Sequence, residues 1–220
     1  MAPHRLPKLA RVENGLRTAA FIDVETTGLS RTFHEVVEFA IALFAFEPRT
    51  GSIAGIVDEY VGLRDPGRPI PPAATMVHGI TDSDVRGKRL NDGRIRALVK
   101  RAEFLVAHNA SFDRGFVERL FPETREKPWY CSMIGVPWRR LGFPSRGLQS
   151  LLAHHRIPVR RSHRGLDDVH ASLALLASAD PNGACYFRYI LERYELAGVG
   201  RRELSRAAEA GGGPKPLALP

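Results

Sequence analysis

A chain of 220 residues, 44% hydrophobic and 25% charged, holds the material for one folded domain and excludes wholesale disorder. Lysine and arginine outnumber aspartate and glutamate 32 to 24, and the resulting +8 favours a polyanionic partner. No apolar run is long enough to span a bilayer, residues 1–14 lack the apolar core of a secretory signal, and Cys131 and Cys185 have no metal-ligand spacing, so the expectation is a soluble cytoplasmic protein with inert thiols and no membrane contact.

Residues 1–16 read as a flexible leader, 17–200 as the folded domain and 201–220 as a disordered tail. Within the domain, 18–25 alternates as a strand. Ala20, Ile22 and Val24 take one face, and Phe21, Asp23 and Glu25 take the other. A second apolar strand covers 36–46. Pro48-Arg49-Thr50-Gly51-Ser52 supplies hairpin chemistry, and 53–63 returns as a third strand. The proline-rich stretch 66–72 ends this section and leaves His78 in a loop. Residues 94–101 predict a helix leading into a short buried strand at 104–107. After Asn109, a candidate helix cap, Phe112, Phe116, Val117 and Leu120 recur at helical spacing. A strand at 129–131 and helices over 147–155, 166–178 and 186–196 complete the series. Antiparallel strands followed by α/β alternation predict a mixed sheet flanked by helices.

Chemistry concentrates in four short segments: Asp23-Val24-Glu25-Thr26-Thr27-Gly28, Val77-His78-Gly79-Ile80-Thr81, His108-Asn109-Ala110-Ser111-Phe112-Asp113 and His163-Arg164-Gly165-Leu166-Asp167-Asp168. Strand geometry turns Asp23 and Glu25 to one side, a poor arrangement between apolar neighbours unless a cation offsets the repulsion. Asp113 and Asp168 each fall in the first turn of a predicted helix, where the helix dipole alone favours an acid. His108 follows a buried strand and reads as packing. Taken jointly, acids at the ends of several elements suit a two-metal phosphodiesterase, because two divalent ions roughly 3.5–4 Å apart draw oxygen ligands from separate parts of a chain. Thr26-Thr27-Gly28 offers amides and hydroxyls to a nucleotide end. From Lys127 through Leu166 there is no acid, while Arg139, Arg140, Arg146, Arg156, Arg160, Arg161 and Arg164 accumulate beside the last segment. That run predicts a wall that tracks phosphates.

In order and wording the four segments resemble the DEDDh, or DnaQ-like, group of 3′–5′ exonucleases, the family that includes the proofreading subunit of bacterial replicative polymerases. Residues 21–29 match its first motif, 107–113 its second, and His163 with Asp168 its third, while 77–81 is a further family word. One departure is Gly165, where the family often has alanine, and little consequence is expected of it. The resemblance implies an α/β, ribonuclease H-like fold with a mixed five-stranded sheet, three antiparallel strands then two parallel, flanked by helices. It implies Asp23, Glu25, Asp113 and Asp168 as ligands of two Mg²⁺ or Mn²⁺ ions, oxygen-only ligation suiting those metals. His163 becomes the general base, and Thr26, Thr27, Gly28, Leu29, His78 and Asn109 seat the 3′-terminal nucleotide.

The expected function is therefore 3′–5′ exonucleolytic hydrolysis of single-stranded ends, releasing nucleoside 5′-monophosphates, in proofreading or repair. Glu25-Thr26-Thr27-Gly28 resembles the proofreading branch, whereas the oligoribonuclease branch usually carries methionine at the position of Thr26, so DNA is the expected polymer. An exoribonuclease is the alternative within enzymes. A non-catalytic subunit that binds a polymerase or clamp is the alternative of another class, and it would be marked by a missing acid or a missing His163; none is missing.

Overall fold

Three long strands, β1 (Arg17–Thr26), β2 (Val36–Phe46) and β3 (Ile53–Leu63), pair antiparallel in sequence order. Two short strands, β4 (Leu105–Ala107) and β5 (Trp129–Cys131), add in parallel beyond β1, giving the order β3-β2-β1-β4-β5. The expected mixed sheet is present. The computed structural model describes residues 6–158 and 164–209, with 199–209 as backbone alone.

Between β3 and β4 lie α1 (Pro72–His78), α2 (Asp82–Val85) and α3 (Asp92–Arg101); α4 (Ala110–Leu120) and a 3₁₀ turn (Pro122–Glu126) separate β4 from β5. Then come α5 (Ser132–Gly135), α6 (Leu148–His154), α7 (Gly165–Ala177) and α8 (Phe187–Glu209). The alternation read in β1 sorts its residues between two cores. Ala20, Ile22 and Val24 pack with Ile95, Leu98, Phe116 and Val117 of α3 and α4, while Ala19 and Phe21 pack with residues of α6, α7 and α8. Helices thus cover both faces, and β2, buried along its whole length, reads as an unbroken apolar run rather than an alternating one.

Three expectations change. His78 is not in a loop: Pro72 occupies the first turn of α1, where its missing N–H costs nothing, and Gly79 ends the helix at a left-handed φ of 71°. The leader is not loose from Leu6 onward. Leu6 is buried, and the backbone of Pro7 and Leu9 exchanges hydrogen bonds of 2.8 Å with Ile56 of β3, adding an edge contact that short polar sequence does not advertise. Helix α8 runs past 196 to Glu209, so residues 201–209 of the expected tail are helical; 1–5 and 210–220 lie outside the described residues. Its first turn is part of the core, with Phe187 edge-on to Phe44 at a centroid distance of 5.2 Å. Cys131 and Cys185 are free and half-buried.

Gly165, where little was expected of the missing methyl, sits at the closest approach of α7 to β2. A Cβ added there would stand 2.8 Å from Ala40 Cβ and 3.3 Å from Glu38 Oε2. One methyl fits between the two elements, and Ala40 of β2 supplies it. Gly165→Ala should destabilise the fold by about 1–3 kcal/mol, the usual cost of overpacking, and Ala40→Gly introduced with it should recover much of that loss. Urea unfolding of the two single variants and the double variant measures the coupling. Additive losses would show that the two positions do not share the space.

Candidate active site

β1 outruns its parallel neighbour. Pairing with β4 covers Ala20 and Phe21 only, so the segment from Asp23 to Thr26 projects past the end of β4 and borders a cleft of about 390 Å³. Clefts at the carboxyl ends of parallel strands are common ligand sites in α/β folds. The cleft is lined by Asp23, Glu25, His108, Asn109, Phe112, Asp113, the 147–150 segment and Asp168. The Val24 amide, without a strand partner on that side, donates to Asp113 Oδ1 at 3.2 Å. Helix α4 is thereby tied to the end of β1. Asp113 is more than an acid placed by a helix dipole.

Asp23 and Glu25 share the β1 face covered by α7, and Asp168 comes from the first turn of that helix. One carboxylate oxygen from each of Asp23, Glu25 and Asp168 lies within 4.8 Å of the others. Burial, then the charges of Asp113, Glu25, Asp168 and Glu38, pushes the Asp23 carboxyl far above its ordinary range. Burial, then the charges of Asp168, Glu38 and Asp113, raises Glu25 to about 8. Burial raises Asp113 to about 7, against the Val24 hydrogen bond that favours its charged form. Such a group of acids is self-repelling until a cation sits among them. An all-oxygen donor set fits a hard divalent ion such as Mg²⁺ or Mn²⁺.

Glu38 was not singled out in the sequence. It stands across from Glu25 in the β1–β2 register, is 2% exposed, and accepts the Gly165 amide at 2.7 Å and Arg164 Nη2 at 3.1 Å. It therefore fixes the start of α7, and with it Asp168. The available signal was a charged residue inside an otherwise apolar β2. His163, like Arg160 and Arg161, lies outside the described residues.

The remaining expected residues divide by environment. Thr26 Oγ1 donates to the Gly28 carbonyl at 2.7 Å, and Thr27 Oγ1 accepts the Glu35 amide at 3.0 Å, so both hydroxyls shape the turn. Thr27 is fully buried, which points its side chain at the turn rather than at a ligand. Gly28 is required by space as well as conformation: a Cβ there would meet the His34 ring at 2.5 Å. The turn holds Leu29 out into solvent at 85% exposure, free of the core. His78, expected at the surface, is buried; its Nδ1 accepts the Ile80 amide at 3.0 Å, which leaves the proton on Nε2. Asn109 caps α4 by position, in a left-handed conformation at φ 72°, but its side chain makes no cap bond and accepts from Ser111 Oγ at 3.1 Å instead. His108 is held at both nitrogens, by Ser132 Oγ and by the Arg146 carbonyl, each at 2.9 Å. Burial lowers it to about 4, so it is a neutral strut and no proton acceptor.

The raised carboxyls have a signed consequence. In metal-free protein the folded state keeps protons on Glu25 and Asp113 that the unfolded chain has already released. Their contribution to stability is therefore lost as pH rises from the ordinary carboxylate range through about 7 and 8. Melting in EDTA should show a lower transition at about pH 8 than at about pH 6, and Mn²⁺ should raise it most at the higher pH. Asp23→Asn should raise the EDTA transition at high pH and weaken the response to Mn²⁺. A metal response that does not grow with pH would exclude this electrostatic account.

Comparison with known proteins agrees with the geometry. Residues 20–176 match the exonuclease family, RNase_T. The PolC-type DNA polymerase III of Listeria welshimeri is 30% identical over 169 residues, covering 73% of this chain and 11% of that protein. That of Streptococcus thermophilus is 36% identical over 121 residues, 51% of this chain and 8% of that protein. The chain thus spans about a tenth of these polymerases. Among solved structures, exonuclease X in complex with 5′ overhanging duplex DNA superposes with a TM-score of 0.54 at 30% identity, over 72% of this chain and 89% of that one. Exonuclease I of E. coli in complex with a dT13 oligonucleotide shares the fold, with a TM-score of 0.57 at 19% identity over 72% of this chain and 40% of that one. With the match spanning most of the domain, this chain belongs to the exonuclease family, in its DnaQ-like 3′–5′ group.

Proposed function

We propose that the protein is a 3′–5′ exonuclease of single-stranded DNA ends that uses two divalent ions and releases nucleoside 5′-monophosphates. The observation that carries the proposal is the convergence of Asp23, Glu25 and Asp168 oxygens within 4.8 Å, with Asp113 on the same cleft. DNA is favoured over RNA because exonuclease X and E. coli exonuclease I are both described with DNA or deoxyoligonucleotides. A polymerase context is supported by the PolC-type relatives.

Asp23, Glu25, Asp113 and Asp168 would hold Mg²⁺ or Mn²⁺. When bound, such ions lower the pKa of water and neutralise charge developing on the phosphate. His163 takes the proton from the attacking water. The water oxygen bonds to phosphorus, the bond from phosphorus to the 3′ oxygen of the penultimate nucleotide breaks, and that oxygen leaves with a proton from solvent. Arg164, the residue after His163, is fixed by Glu38. Asn109, Leu29 and the His78 Nε2 proton are the groups proposed to seat the terminal nucleotide, around the turn built by Thr26, Thr27 and Gly28. His108, engaged at both nitrogens, is left a supporting role.

Matched DNA and RNA oligonucleotides labelled at either end, digested with Mg²⁺ or Mn²⁺, provide the test. The 3′ label should appear first as a mononucleotide, faster from DNA than from RNA, and excess EDTA should stop the reaction. Initial release of the 5′ label, or turnover in EDTA, would contradict the proposal; faster loss of RNA would favour the exoribonuclease reading. His163→Ala should lower the rate by about 10²–10⁴-fold while Mn²⁺ still raises the melting transition. Near-normal rates in that variant would remove the base assignment.

A further inference from the structure

Beside the cleft, the chain turns from Arg146 into a second, smaller hollow of about 190 Å³. It is lined by Ile134, Trp138 and four arginines, Arg139, Arg140, Arg146 and Arg193, and by no acid. Arg139, Arg140 and Arg146 are exposed, and their guanidinium groups make no hydrogen bond or ion pair among the described residues. Arg193 Nε donates to the Gly135 carbonyl at 3.1 Å, which orients its guanidinium without neutralising it. Several arginines elsewhere on the surface, Arg64, Arg94, Arg96, Arg101, Arg119 and Arg188, each pair with an acid. Here the charge is uncompensated.

The hollow is joined to the cleft through the backbone. The Arg146 carbonyl accepts from His108, and Gly147, the next residue, already lines the cleft. A rigid path therefore leads from the acid group over the start of α6 to the arginines. The floor is equally fixed, since Trp138 is fully buried and its indole N–H donates to the Ser132 carbonyl at 2.9 Å. A phosphate is the complementary occupant. Guanidinium groups bind it with directed, charge-assisted hydrogen bonds, and they do so without regard to base.

We propose that this hollow is a remote phosphate subsite. It holds the sugar–phosphate backbone of the strand being degraded, several nucleotides upstream of the bond cut in the cleft. The proposal rests on the exonuclease reading and adds a substrate-length requirement to it. Because α8 supplies Arg193, the last predicted helix becomes part of substrate binding. The subsite acts on the residence of the strand, since it does not touch the reacting atoms. Its loss therefore raises KM more than it lowers kcat.

The experiment compares wild type with Arg139→Gln/Arg140→Gln and, separately, Arg193→Gln, on single-stranded DNA of about 3 and about 12 nucleotides, lengths that bracket the lower reach of single-strand grooves. For wild type, KM should be much lower on the longer strand. The double variant should lose most of that advantage, with KM on the longer strand rising about tenfold. The slope of log affinity against log salt should become shallower by about 0.7 for each phosphate contact removed. Arg193→Gln should shift both quantities in the same direction by less, because one guanidinium is removed. Circular dichroism melts of each variant check that the fold survives, which the exposure of these side chains leads us to expect. If wild type degrades DNA but its KM does not depend on length, or if the variants keep its salt slope, the subsite is overturned and the arginines are a solvated face. If binding of a Glu-rich peptide, and not of DNA, is what the variants lose, the hollow belongs to a protein partner and the proposal also fails. If wild type degrades no oligonucleotide at all, it is the exonuclease reading that falls.

Discussion

Mutual repulsion among buried carboxylates is the constraint around which this fold is arranged. Asp23, Glu25, Glu38, Asp113 and Asp168 come from two strands and two helices and meet at one end of an apolar sheet. Burying ionised groups without partners is strongly unfavourable. The apolar cores on the two sheet faces must hold the elements together against that cost. Within the group Glu38 is the acid compensated by a cationic side chain, Arg164, with the Gly165 amide beside it, while Asp113 accepts the Val24 amide and Asp168 accepts from Gln149. One acid is thus made structural so that the others can be left for a cation.

The sheet and the acid motifs were legible because their determinants are local. Alternation in Ala20, Phe21, Ile22 and Asp23 reports a strand and the face of each side chain directly. Strands β2 and β3 begin and end where their apolar runs do. What escaped depends on neighbours far along the chain. The burial of Leu6 follows from β3, some fifty residues away, and the role of Glu38 follows from the arrival of α7. The helix ending at His78 escaped for another reason: a proline cluster signals a break in a strand and, equally well, the first turn of a helix. Asn109 shows both sides at once. Its place before a helical repeat was readable, whereas its left-handed backbone was not.

The histidines show how environment separates residues that look alike in sequence. His108 stands beside Asp113 in the sequence and lines the cleft, yet both ring nitrogens are engaged and burial keeps it neutral. His78 has one nitrogen committed to the Ile80 amide. His34 accepts the Ser30 amide, His155 is held by the Leu151 carbonyl and Tyr186, and His170 meets Glu59. A general base must exchange its proton near the reacting water with its lone pair free to do so. The histidines just named are anchored to protein, and the proposed assignment of the base to His163 rests on its motif.

The two electrostatic features of the molecule have opposite sign, and each makes sense only with the other. A net charge of +8 with an acid-free run over 127–166 draws a polyanion toward the surface. The cleft it reaches is lined by Asp23, Glu25, Asp113 and Asp168, which repel phosphate at short range wherever they are ionised without a cation. The arginine hollow lies on the chain immediately before the cleft-lining segment, so attraction and repulsion act on one strand only a short distance apart. Without cations in the cleft, that field would hold a strand by its backbone and keep its end out. With cations, the repulsion becomes attraction at the one position where a terminal phosphate can meet the acids. Metal loading would thus act as a gate on productive binding as well as on chemistry, because the charge that the acids present to the substrate reverses only when the site is filled.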